Sequence, residues 1–103
     1  MTVGGAPVAE TPHMEAFILA KQDQVLGRAV TALRDADDDA LPGEVHRLIG
    51  TLGTYGLAEA VALLRPLDDL LKADADAAAI AERRSTTLRS LEAVVAEREA
   101  SKS

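Results

Sequence analysis

An all-α fold, arranged as an antiparallel up-down four-helix bundle, is what the sequence predicts, and three observations lead to it. Leucine and alanine dominate a chain that is 48% apolar yet holds one phenylalanine, one tyrosine and no tryptophan, a composition that favours helices. Apolar residues recur at helical spacing in four successive runs, and no run shows the two-residue alternation of a strand. The breaks between runs are short and carry aspartate, proline or glycine, so neighbouring helices must double back on one another.

A length of 103 residues suits a single domain. Residues 1–10, with Gly4, Gly5 and Pro7, read as a flexible tail, residues 11–100 as the helical domain, and residues 101–103 as a frayed end. The first helix is expected to start at Thr11-Pro12, threonine as N-cap and proline at the first helical position, where its missing N–H is no loss. Met14, Phe17, Ile18, Val25, Ala29 and Leu33 then keep an apolar stripe to about Arg34. His13 falls in the first turn without chemical company and is read as incidental. The acidic run Asp35, Asp37, Asp38 and Asp39 is a solvated loop, with one aspartate expected to cap the second helix.

The second helix carries the candidate chemistry. Pro42 opens it, Leu41, Val45, Leu48, Leu52 and Tyr55 form its buried stripe, and Gly56 ends it in a left-handed conformation. At about 100° per residue, His46 points roughly 130° away from the centre of that stripe. Gly43, Gly50 and Gly53 lie within about 60° of the histidine on the same wheel. Each helical glycine costs about 1 kcal/mol relative to alanine, so three of them around one imidazole call for a reason other than packing. Access is that reason: with no side chains on the adjoining turns, another backbone or a bulky anion could approach the ring. Histidine suits such a place, since its ordinary pKa near 6.5 leaves the neutral nucleophile well populated at neutral pH.

In the third helix Leu57, Ala60, Val61, Leu64, Leu67 and Leu71 make the stripe, widened by Leu63 and Leu70, and Pro66 is expected to kink it near residues 62–65. Asp74 or Asp76 caps the fourth helix, whose stripe runs through Ala77, Ile80, Arg84, Leu88, Leu91, Val94 and Val95. Arg83, Arg84, Arg89, Glu92, Glu97, Arg98 and Glu99 are mostly its wet face, joined at most by weak ion pairs along the helix.

His46, Leu48, Gly50, Thr51, Gly53, Tyr55, Gly56 and Leu57 together resemble the H-x-L-x-G-[ST]-x-G-x-[FY]-G-L signature of histidine-containing phosphotransfer (HPt) domains, the relay modules of multistep two-component signalling. A dozen residues match tightly, and the helix layout extends the likeness over about Pro12 to Ala100. The resemblance implies that His46 is a phosphoacceptor, taking a phosphoryl group from a receiver-domain aspartate and passing it to another receiver. It implies response-regulator receiver domains or a hybrid histidine kinase as partners, with Mg2+ on the partner receiver and no cofactor on this chain. It also implies lysine three residues after the histidine, where this chain has Ile49. Ile49 lies toward the core stripe and is read as an apolar rim for the partner, while Arg47 and Arg65 are candidates for the positive charge. The docking surface is expected to take in Gly43, Arg47, Ile49, Gly50 and Gly53, with Lys21, Gln22 and Gln24 from the first helix. A polar side chain of that helix is expected to orient the imidazole.

Other chemistries find less support. There is no cysteine, hence no disulfide, thiolate ligand or cysteine nucleophile, which suits a reducing interior. The net charge of −6, without a basic stripe or stacking aromatics, argues against nucleic acid. GTLGTYG is not preceded by a strand and lacks the lysine of a P-loop. His13 and His46 sit on different helices without carboxylates at the spacing a metal site needs, so no metal is expected. No serine and acid accompany the imidazole as a hydrolase requires. The first residues are no secretory signal, and no apolar run is long enough to span a bilayer. A cytoplasmic, monomeric phosphoryl carrier is the reading that results, not itself an enzyme. The alternative is a helical adaptor that binds receivers or kinases without carrying phosphate, which the isoleucine at position 49 favours.

Overall fold

Helices α1 (Gly5–Asp35), α2 (Leu41–Thr54), α3 (Ala58–Lys72) and α4 (Ala77–Ser101) follow one another along the chain. In this computed structural model the backbone is described over residues 5–102 and the side chains over residues 14–102. No strand occurs among the described residues. Each helix packs on its two neighbours in the ring α1–α2–α3–α4, and the short connections make it an all-α up-down four-helix bundle.

One side chain from nearly every turn fills the centre. Leu26 and Leu33 of α1, Leu52 of α2, Leu64 and Leu67 of α3 and Leu91 of α4 expose no surface at all, and burying each contributes about 1.5–3 kcal/mol. Leu41, Val45 and Leu48 complete the α2 stripe as its spacing predicts, and Ala60 adds to that of α3. Pro66 lies inside α3, which continues to Lys72.

The first helix differs from the expectation at both ends of its stripe. It begins at Gly5, within the stretch read as a tail and ahead of Thr11-Pro12. Ala6 and Ala9 favour helix there. Thr11 and Pro12 thus lie inside the helix rather than at its N-cap and first position, and the setting of His13 rests on a side chain outside the described residues. Met14, Phe17 and Ile18 stay 62%, 64% and 48% exposed, and Leu19 joins them at 52%. The cause is length: at 1.5 Å per residue α1 is about 46 Å long against about 22 Å for α2 and α3. Its early turns run past the helices that would cover them, and among the described residues its core contribution starts at Val25.

The ends of the helices are finished in three ways. Ahead of α2, Asp37 closes its own turn, its carboxylate accepting from the Ala40 N–H at 2.8 Å. The N-cap of α2 is Ala40, without a side-chain cap, so the aspartate expected there serves the loop instead. After α2, Gly56 takes φ 73°, and the N–H groups of Gly56 and Leu57 return to the carbonyls of Gly53 and Leu52 at 3.0 and 2.9 Å. After α3 the same hydrogen-bond pattern recurs with aspartate in the left-handed position: Asp74 has φ 56°, and Asp74 and Ala75 donate to Leu71 and Leu70. Asp76 caps α4 by accepting from Ala79 at 2.8 Å.

The fourth helix is held differently from the others. It buries only Thr87 and Leu91, and the Thr87 hydroxyl has no partner among the described residues. Its arginines do more than the wet face expected of them. The Arg84 guanidinium donates to the carbonyls of Leu33, at 3.0 and 2.8 Å, and of Ala36. It thereby satisfies groups that the C-terminus of α1 leaves open. Arg34 pairs with Glu92 at 2.7 Å, and Arg98 with Asp23 at 2.6 Å. Helix α4 also extends through Ser101, and Lys102 reaches Asp23 at 2.6 Å, so this end is pinned where fraying was expected; Ser103 is not among the described residues.

Candidate functional site

His46 is the sixth residue of α2, and the buried pair Val45 and Leu48 on either side of it settle which way it faces. With those two in the core, the imidazole is on the exposed side of the helix. Gly43, Gly50 and Gly53 are exposed beside it. A methyl group added at any of the three would meet no atom of the fold within 4 Å. Nothing inside the molecule therefore requires glycine at these positions. Their effect is to leave a smooth strip of helix backbone along both sides of one ring.

Ile49 is half-buried and packs against the edge of the core, in keeping with its lean toward the stripe. Arg47 is exposed, and its guanidinium is engaged with the Glu44 carboxylate at 2.7 Å, one turn back along α2. Arg65 lies exposed on α3. The turn at Gly56 sets α3 antiparallel to α2, so Arg65 and His46 stand roughly 12 Å from that turn and almost level with each other. Arg65 makes no ion pair among the described residues.

The first helix does not buttress the ring in the way its polar residues suggested. Gln22 is committed elsewhere: its amide donates to the Tyr55 carbonyl at 2.8 Å, and its oxygen accepts from Arg98 at 3.1 Å. Lys21 is half-buried and Gln24 exposed. Among the described residues no side chain hydrogen-bonds the imidazole. What Gln22 does is tie the turn that ends α2 to α1 and α4.

Two polar groups went unread in the sequence. Asp68 is 4% exposed on α3, with Lys72 one turn on at 2.9 Å. Its spacing to Lys72 is the available signal for such a pair. Asp23 gathers both Arg98 and Lys102, and hydrogen bonds from Lys102 and then Arg98 hold its carboxyl below the ordinary value of 3.8. Nothing in a linear pattern links residues so far apart.

Among the described residues no group of three or more histidine, aspartate and glutamate side chains is placed to hold a metal ion, and no helix is long and apolar enough to cross a membrane. The arrangement is thus one exposed imidazole on a cleared helix face, with apolar surface alongside and, on the next helix, an arginine that makes no ion pair among the described residues. No family model, curated protein or solved structure matches this chain.

Proposed function

We propose that the protein is a phosphohistidine carrier of a multistep two-component phosphorelay. In this reading a neutral ring nitrogen of His46 attacks the phosphorus of a receiver-domain aspartyl phosphate. The nitrogen–phosphorus bond forms as the acyl phosphate P–O bond breaks, and the bonding pair leaves with the aspartate carboxylate. The return step delivers the group to a second receiver in the cytoplasm. Mg2+ and the acidic residues that organise transfer belong to the receiver, so this chain contributes the nucleophile, the leaving group and a surface on which the partner closes.

One observation carries the proposal: an exposed imidazole in mid-helix, flanked by three glycines that the fold itself does not need. Clearance of that kind matters only to something arriving from outside. Arg65, at a similar height on α3 and without an ion pair among the described residues, is the candidate cation for the phosphoryl oxygens, Arg47 being engaged by Glu44. Ile49 supplies apolar contact in place of the customary lysine.

That same isoleucine, with Arg47 already paired, is what favours the second reading, an adaptor that binds receivers without accepting phosphate. Incubation with a receiver charged by a small phosphodonor separates the two. The carrier gains acid-labile, base-stable phosphate that is absent in His46→Gln, and Arg65→Gln lowers its yield. Receiver binding without phosphate on the wild-type chain would establish the adaptor instead.

A further inference from the structure

The connection between α3 and α4 is unlike the other two. Gly56 occupies the left-handed position after α2, and Pro42 stands in the first turn of α2 after the preceding loop. Residues 73–79 read Ala-Asp-Ala-Asp-Ala-Ala-Ala, with neither glycine nor proline. Alanine is the best helix former there is, and five of these seven residues are alanine. The helix stops because Asp74 is held at φ 56°, a conformation that costs any residue with a Cβ. Straightening the connection would relieve that cost, at the loss of the Asp76 cap, and would run α3 and α4 together as one helix.

What α4 leaves behind matters equally. Its seat on the bundle takes only Thr87 and Leu91 fully, with Ile80, Leu88, Val94 and Val95 partly buried against the core, and side-chain bonds join it to α1: Arg84 to the Leu33 and Ala36 carbonyls, Glu92 to Arg34, and Arg98 to Asp23. Every one of these bonds can form again, unchanged, with the α1 of another molecule. From the strained hinge and the self-complementary seat together, we infer that two copies of this chain exchange α4, each lending its fourth helix to the bundle of the other. Closed exchange of an identical element is a low-cost route to a dimer, and short strained hinges invite it. His46 lies on α2, outside the exchanged segment, so such a dimer presents two separate imidazole faces, and the inference does not depend on what those faces do.

The test compares three full-length chains refolded from denaturant at high concentration and sized by light scattering: wild type, Asp74→Gly, and the double variant Asp74→Ala with Asp76→Ala. Glycine relaxes the left-handed position and holds the hinge bent, whereas the alanines remove the reasons for the bend. With two hinges per dimer, the dimerisation constant should fall about tenfold or more in the glycine variant and rise about tenfold or more in the alanine variant. Because α4 must detach before it can return, the dimer should also persist on dilution for as long as local unfolding takes. Equal dimer fractions in the two variants, monomer in all three chains, or a dimer that dissociates within the mixing time would overturn the inference.

Discussion

At the scale of single residues, the glycines around His46 and the glycine after α2 make opposite demands. Gly50 and Gly53 are helical and open on every side, so Gly50→Ala and Gly53→Ala should each stabilise the fold by about 1 kcal/mol in thermal melts. On the proposed function each should also slow phosphoryl transfer, because the added methyl would stand where a receiver is proposed to dock. Gly56, at φ 73°, should behave in the reverse sense, Gly56→Ala costing about 1 kcal/mol or more. Asp23 makes a second prediction. Lys102 and Arg98 hold its folded pKa below 3.8, so the ionised form is the one the fold favours. Its contribution is complete at pH values above the ordinary carboxylate range and is lost as pH falls through the lowered folded value. Melts between neutral and acid pH should show a decline that is smaller in Asp23→Asn. The small side chains around His46 were legible from helical spacing alone, since facing is periodic. The partners of Asp23 were not, because a bond between residues 23 and 98 depends on how two helices finally lie together.

At the scale of elements, the sequence located all four helices, the cap at Gly56 and, as one of two candidates, the cap at Asp76, each written in a few adjacent residues. It misjudged α4. Helical spacing assigned Arg84 to the apolar stripe and to the wet face at once, and neither label describes a guanidinium closing the C-terminus of another helix. Arg84→Met keeps the aliphatic stem but strands the carbonyls of Leu33 and Ala36, and should cost about 2 kcal/mol. Arg84→Lys should recover little of that loss, since one ammonium does not reproduce a planar fork. Measured by denaturation, equal stability of wild type and Arg84→Met would mean that water serves those carbonyls as well as arginine does.

For the whole molecule, composition and periodicity were enough to reach an all-α bundle, because leucines at helical spacing leave few other ways to hide them. Length was the part that pattern could not weigh. Met14, Phe17 and Ile18 share the spacing of a core stripe, yet they stand beyond the reach of α2 and α3 and remain exposed. Whether an apolar residue is covered depends on what lies across from it, and spacing along one helix carries no such information. The bundle is also uneven in what binds its sides: leucines join α2 to α3, whereas charged side chains tie α4 to α1. Urea leaves charge pairs in place, and guanidinium chloride is itself a salt that screens them. The two denaturants should therefore disagree about this protein. Hydrogen exchange should show α4 opening ahead of the other helices at low guanidinium concentration, and all four giving way together in urea.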